Sequence, residues 1–427
     1  MFSQGGLSLE QAPPISVVLR FFVTASIFGI LLGIFLIVDG LGLSSSLTGN
    51  KSVLITHILA LGVMASFMLG SLFQMLPVIA GVVITMPTQK ATVVHLLFVV
   101  GLFIQLYAFA DSSIPLLYFL ASAYLGIGLL YALYLMLKEL IQIKDHSSSS
   151  KGMIFSLVSF LLTIILGIYL LLSLGGYLDG LLFLRVKEIH YSFALFGWIS
   201  LLIISVSFQV IEMFYVTPKY PIWMSTYLTM GIFTLLFFKS MAIFMAFEFQ
   251  FITVILTVLF MLYAGTTIHR LYRRKRPTSD ATVWFWRLGM GLFITSMLIT
   301  LLDVFTEINL EVKMFSYLAF IGFVLSIIFA MTYKIVPFLT WFHLSNQGYI
   351  EAPMMHDIVH PKTVKKHFYI HGTMLISFGF SLFFDLIFFD LLSAVLLLLS
   401  FGWLLYNLIF AIKKYHYTQK YTERFEW

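Results

Sequence analysis

Long apolar segments constrain this chain more than any other feature of its sequence. Twelve stretches of about 20 or more mostly apolar residues follow one another, separated by short polar or basic segments. They cover residues 15–40, 52–84, 91–111, 114–138, 152–175, 188–215, 221–239, 241–268, 283–305, 314–341, 366–388 and 390–412. Backbone polar groups must be satisfied within each segment in lipid, so every stretch is predicted to be a helix. Composition agrees, because 60% of residues are hydrophobic, 10% are charged and the mean hydropathy is +1.00. The sequence therefore predicts an all-α, polytopic membrane protein, with residues 1–427 forming one integral membrane domain.

The basic residues predict the orientation of these spans. Most Lys and Arg residues lie in the even-numbered connections and the C-terminal tail, with the richest cluster at residues 269–276. The positive-inside rule then places both termini on the cytoplasmic side of the membrane, which we expect to be a bacterial inner membrane. Residues 1–14 lack a basic n-region, so no cleavable signal peptide is expected. Membrane lipids are the predicted surroundings of the helices, and no nucleic-acid partner is expected.

Three of the spans share one pattern, at residues 56–77, 191–212 and 316–337. They align on Gly62, Gly197 and Gly322, which are 135 and 125 residues apart. In each span a small residue follows the glycine by eight positions, an aromatic residue by eleven and a long polar residue by twelve: Gly70, Ser205 and Ala330; Phe73, Phe208 and Tyr333; Gln74, Gln209 and Lys334. Such a period holds about four membrane helices. We therefore predict three related four-helix units, at about 15–140, 150–268 and 283–412.

Histidines in the spans are the candidate ligands. His57 stands five residues before its glycine and His190 seven before, and both are predicted to lie near the outer surface. His95 and His371 are predicted near the inner surface, roughly 15–25 Å away by helix rise, so one cofactor cannot bridge the two layers. There are no cysteines, so a metal would have to use His, Met, Asp, Glu or Tyr. We expect at least two sites if all four histidines bind metal.

Two features leave alternatives open. His367 and His371 share a helical face through their i,i+4 spacing, so either the two are a ligand pair or His367 is only an interfacial anchor after Lys365 and Lys366. The three aligned glycines either allow close helix packing or let a porphyrin lie against the backbone.

Polar residues inside the spans suggest a proton or polar path. Gln74, Gln209 and Lys334 occupy the same repeat position, and Glu212 lies about one turn beyond Gln209. Ionisable groups inside a membrane cost several kcal/mol, so each is a functional candidate. Glu212 and Lys334 either pair, line such a path or extend to the membrane surface.

These residues carry a resemblance to a known family. His57 with Gly62 and the run Phe73-Gln-Met-Leu-Pro77, and His190 with Gly197, resemble the haem–copper oxidase subunit I superfamily, and within it the NnrS-like and short subunit-I-like membrane proteins. The resemblance implies twelve helices in three sets of four and b-type haem, one or two groups. It implies that His57 is an axial ligand of a low-spin haem and that His190 is a copper ligand.

The chain also departs from the family pattern. It has no histidine pair on the seventh span, and Phe315 and Tyr317 stand where the tenth span would carry histidines. A three-histidine copper site cannot be assembled from these residues. The expected function is haem binding in respiratory electron transfer or nitrogen-oxide metabolism, with quinol or a c-type cytochrome as redox partner and further subunits as partners. The alternatives are a secondary transporter or permease and a non-catalytic scaffold subunit of a respiratory complex.

Overall fold

The computed structural model describes residues 12–39, 51–247, 249–276, 278–384 and 386–425, and these ranges are built from helices. The long helices are α1 (Ile15–Asp39), α2 (Ser52–Ala80), α3 (Pro87–Ala110), α4 (Pro115–Ile141), α5 (Ser148–Leu174), α6 (Phe183–Tyr215), α7 (Ile222–Phe244), α8 (Gln250–Tyr272), α9 (Ala281–Phe305), α10 (Leu310–Asn346), α11 (Pro361–Phe383) and α12 (Ile387–Tyr421). A one-turn helix, Met355–Ile358, precedes α11. Residues 1–11, where no signal peptide was expected, lie outside the described ranges.

Eleven of the described helices are long and apolar enough to cross a membrane, which makes the chain a multi-pass membrane protein. The remaining long helix is α11, whose 23 residues include Lys365, Lys366 and two histidines that make it less apolar. At 1.5 Å per residue α11 still extends for about 35 Å, more than the thickness of the hydrocarbon core. The predicted all-α fold is confirmed at this level.

Local sequence signals set the helix ends. Prolines stand at the starts of α3, α4 and α11, where the missing backbone N–H costs nothing. Side chains of Ser147 and Asn309 accept hydrogen bonds from the first turns of α5 and α10. Helix α10 contains Pro337 and continues beyond it to Asn346, five residues past the predicted end of that span.

The helices fall into two compact units. Unit 1 consists of α3 to α8, the part of α2 from Ser71 onward and the end of α9 from Thr300 onward. Unit 2 consists of α1, α2 up to Gly70, α9 up to Ile299, and α10 to α12. Within unit 2, α1 packs against α12, and α11 packs against both α10 and α12.

Two helices contain a stretch of π-helix in the same repeat register. These stretches are Ile58–Ala65 in α2 and Phe193–Ser200 in α6, so each runs from four residues before the aligned glycine to three residues after it. The corresponding stretch of α10 is regular α-helix. The hydroxyl of Ser66 donates to the carbonyl five residues earlier, whereas that of Ser326, at the same repeat position, donates to the carbonyl four residues earlier. A π-turn is one residue wider than an α-turn, which accounts for this difference.

The C-terminal segment is held against the loop that follows α10. Phe425 N donates to Gly348 O over 2.8 Å, and Nε of Arg424 donates to Gln347 O over 2.6 Å. The side chain of Gln419 donates to Oε1 of Gln347 over 2.9 Å. Gly348 has a φ of +83°, a left-handed conformation that glycine adopts without strain.

Candidate functional site

His57 and His190 each hydrogen-bond a backbone carbonyl through the same ring nitrogen. Nδ1 of His57 lies 2.8 Å from Val53 O in its own helix, and Nδ1 of His190 lies 3.0 Å from Thr163 O on α5. A carbonyl can only accept, so Nδ1 carries the hydrogen in both rings. In the neutral imidazole the lone pair is then on Nε2. A hydrogen bond of this kind to the second nitrogen is what orients metal-binding histidines.

Both histidines lie within three residues of the start of a π-helical stretch. His57 is the residue before the stretch in α2, and His190 precedes the stretch in α6 by three residues. Within unit 1 the ring of His190 lies over Gly167 of α5, and its Cε1 is 3.1 Å from where a Cβ would be. Single π-turns inside α-helices occur frequently at functional sites. The two half-buried imidazoles are therefore the candidate ligands with the most support from local geometry.

The aligned glycines serve helix packing. A Cβ at Gly62 would lie 2.8 Å from the ring of Phe28 on α1, and one at Gly197 would lie 2.7 Å from the side chain of Ser159 on α5. A Cβ at Gly322 would lie 2.9 Å from side chains on α9 and α11. These glycine faces are occupied by neighbouring helices and offer no room for a porphyrin. The donor chemistry of His57 and His190 fits a haem iron or a copper ion, but the glycine faces do not form its cradle.

The other predicted ligands lie in different surroundings. His95 is partly buried on α3. His371 on α11 is fully buried, with Nε2 2.9 Å from the hydroxyl of Ser326 on α10. Across the described ranges, no three His, Asp or Glu side chains are grouped so that they could hold a metal ion.

His367 is buried and bonded at both nitrogens, which resolves its alternatives. Its Nδ1 lies 2.7 Å from the hydroxyl of Tyr333 on α10, and its Nε2 lies 2.7 Å from that of Ser400 on α12. The aromatic rings of Phe285 and Phe329 pack against it. His367 and His371 therefore share a buried face of α11, and His367, with both nitrogens bonded to hydroxyls, is neither placed to bind a metal nor exposed as an anchor. Sequence reasoning missed Ser326 and Ser400, because a serine in an apolar helix most often bonds its own backbone.

The residues of the predicted polar path each have different surroundings. Nζ of Lys334 lies 2.6 Å from Oδ2 of Asp280, which precedes α9. Glu212 accepts a hydrogen bond from Tyr220 N over 3.1 Å. Gln74 is 1% exposed, and neither polar atom of its amide has a hydrogen-bond partner among the described residues. Gln209 is partly buried. Lys334 is thus an ion-pair partner, while Gln74 keeps the unsatisfied polar atoms expected of a path residue.

A tyrosine in the loop after α6 completes the surroundings of Glu212. The hydroxyl of Tyr220 lies 2.9 Å from Oγ1 of Thr267 on α8. Burial raises the pKa of Tyr220 to about 12, so its hydroxyl stays protonated at neutral pH. The loop is thereby fixed to α6 through Glu212 and to α8 through Thr267.

No protein-family model matches this chain, and a comparison with curated proteins found no match.

Proposed function

We propose that this chain is a haem-binding protein of the bacterial inner membrane, related to haem–copper oxidase subunit I. It works in respiratory electron transfer or nitrogen-oxide metabolism and lacks a complete binuclear oxidase site. Quinol or a c-type cytochrome is its redox partner, and further subunits of a respiratory complex are candidate partners.

The local geometry of His57 and His190 carries the proposal. Each ring is held by a backbone carbonyl at Nδ1 and stands next to a π-helical stretch in the same repeat register. Orientation through Nδ1 leaves Nε2 as the nitrogen that would bind a metal. The geometry that the two helices share favours the view that they are equivalent and both carry a ligand. It is less expected of two unrelated histidines at the membrane surface.

The matching positions of the two π-helical stretches also support a repeated architecture. We propose twelve spans in three units of four, with both termini cytoplasmic. The π-helical stretches in α2 and α6 begin and end at matching positions relative to Gly62 and Gly197, as duplicated helices would. In the third unit Phe315 and Tyr317 replace the histidines, and α10 is regular α-helix there.

The residues divide into assigned roles. His57 would hold a b-type haem, and His190 would bind copper or a second haem. A bound haem iron would supply one-electron chemistry at His57. Of the inner layer, His95 stays the candidate ligand, because the ring of His371 is fully buried against Phe285 and Phe329, which leaves no space for a haem beside it.

An optical spectrum of the purified protein, with a pyridine haemochrome assay and copper quantification, tests the proposal. We expect a Soret band and about one or two haems per chain, as six-coordinate b-type haem would give. His57→Ala should lower the haem content, and His190→Ala should lower the copper content or remove the second haem.

The control is His416→Ala, which changes an exposed histidine on α12. It should keep the wild-type spectrum and metal content. A protein purified without any Soret band would overturn the proposal. Unchanged haem content in His57→Ala would remove His57 from the ligand set.

A further inference from the structure

The buried histidine pair belongs to a longer series of polar contacts in unit 2. At the start of α12, Asp390 accepts a hydrogen bond from Ser381 of α11. One turn on, the hydroxyls of Ser393 and Ser377 lie 2.9 Å apart, and both are also within hydrogen-bond distance of Phe389 O. Further along the same helix pair, Ser400 meets His367, and His367 meets Tyr333. We call this series, from Asp390 to Tyr333, the polar column.

The polar column and the buried polar residue that follows it on α12 extend over most of the thickness of a membrane core. Asn407 lies two turns beyond Ser400 on α12 and is buried, with its side-chain amide donating to Trp403 O over 2.6 Å. From Asp390 to Asn407 the axial rise of α12 is about 25 Å, compared with about 30 Å for the hydrocarbon core. Apolar helices rarely bury so many polar groups, because each one without a partner costs free energy. The column is therefore a feature that its function has to explain.

His371, which lies one turn from His367 on the same buried face of α11, carries an unsatisfied atom. Ser326 donates its single hydrogen to Gly322 O over 2.6 Å, so it can only accept from Nε2 of His371. Nδ1 of the neutral ring is then a bare acceptor, and it is fully buried with no partner among the described residues. It lies in the interval between Ser377 and His367, where the column has no direct contact. A water at Nδ1 would supply the missing donor, and the rise of about 9 Å along α11 from His371 to Ser377 would need more than one water to bridge it.

His367 can pass a proton between its neighbours. One of its nitrogens accepts a proton from the hydroxyl on its side while the other releases its own proton to the hydroxyl on the opposite side. The ring ends in its other neutral tautomer, one proton has moved by the width of the imidazole, and no electron is transferred. Tyr333 and Ser400 each carry a hydroxyl that can both give and receive, so the step works in either direction.

We propose that the polar column conducts protons across the membrane, with His371 and His367 as its relay groups. The inference does not rest on haem binding, since its residues lie in α10, α11 and α12 and exclude His57 and His190. It differs from the predicted path through Gln74, Gln209, Glu212 and Lys334, none of which belongs to the column.

Proton flux into liposomes tests the column. The full-length protein is reconstituted, a potassium diffusion potential is imposed with valinomycin, and internal pH is followed with pyranine. We expect faster acidification than in protein-free liposomes. His367→Gln keeps an amide that accepts from Tyr333 and donates to Ser400 but cannot exchange protons between its ends. It should lower the flux at least about tenfold, in line with the loss of a positioned proton-transfer group.

Two further variants separate relay from folding. His371→Gln retains an amide donor for Ser326 and should lower the flux similarly, and it replaces His367→Gln if that variant fails to fold. His416→Gln changes an exposed histidine of α12 and should conduct like the wild type. Wild-type flux equal to that of protein-free liposomes would overturn the inference, as would full flux in a folded His371→Gln protein.

Discussion

At the scale of single residues, the ion pair between Lys334 and Asp280 is the clearest electrostatic contact of unit 2. The side chains are 16% and 25% exposed, so solvent screens them only in part. Oδ1 of Asp280 also accepts hydrogen bonds from N and Oγ1 of Thr282. The pair joins the middle of α10 to the start of α9.

Replacing Asp280 by Asn should destabilise the protein by about 1–3 kcal/mol, because a largely buried ammonium loses its counter-ion. Thermal unfolding in detergent measures the change. The double variant Asp280→Asn with Lys334→Met should recover most of the loss, and Asp145→Asn in an exposed loop should have no effect. Equal melting temperatures for Asp280→Asn and the wild type would show that the pair adds nothing to stability.

The same carboxylate predicts a dependence of stability on pH. Burial by itself would raise the pKa of Asp280, but the charge of Lys334 and the hydrogen bonds from Lys334 and Thr282 lower it overall. A lowered folded-state pKa gives stability that is complete above about pH 4 and is lost as pH falls through the folded value. Thermal melts from pH 7 down to pH 3 should show a steeper loss in the wild type than in Asp280→Asn. Parallel curves would contradict this assignment.

At the scale of elements, glycines decide how closely helices approach. A Cβ at Gly33 of α1 would lie 2.9 Å from backbone atoms of Leu398 on α12, whereas a Cβ at Gly402 of α12 meets nothing within 4 Å. Backbone cannot move aside as a flexible side chain can. Gly33 is therefore the test position for helix packing, and Gly402 is its control.

Gly33→Ala should lower stability by about 1–3 kcal/mol through overpacking. Gly402→Ala should leave stability unchanged or raise it by up to about 1 kcal/mol, because alanine favours the helix. Thermal unfolding of both variants gives the comparison. A Gly33→Ala protein as stable as the wild type would mean that α1 and α12 separate at little cost.

The sequence predicts these elements well but misses their internal irregularities. Each long helix overlaps a predicted span, because apolar runs of this length have few alternatives in lipid. Most helix ends lie within five residues of the prediction, but α8 begins nine residues later and α12 ends nine residues later than predicted. The π-helical stretches were not predicted, since an all-apolar run such as residues 58–65 shows no period from which a wider turn could be recognised. His367 was left open for a similar reason. Its neighbours Tyr333 and Ser400 lie 34 and 33 residues away in sequence.

At the scale of the whole molecule, orientation in the membrane is the main architectural proposal still to be tested. The absence of native cysteines allows single-cysteine labelling. Ser112 lies exposed in the turn between α3 and α4, and Arg276 lies exposed in the basic segment after α8. The positive-inside rule places them on opposite sides.

Ser112→Cys should react with a membrane-impermeant maleimide in intact cells. Arg276→Cys should react only after the membrane is permeabilised. Mass shifts on a gel report the labelling, and the cysteine-free parent is the control. Labelling of Arg276→Cys in intact cells would reverse the proposed orientation.

The docked C-terminal segment affects how the protein can be handled. Because Arg424 and Phe425 bond Gln347 and Gly348, a purification tag joined directly to the C-terminus would compete with those contacts. A flexible spacer, or a tag at the opposite end of the chain, would leave these hydrogen bonds intact. Fluorescence from a reporter fused without a spacer would then depend on whether these hydrogen bonds form as well as on the yield of protein.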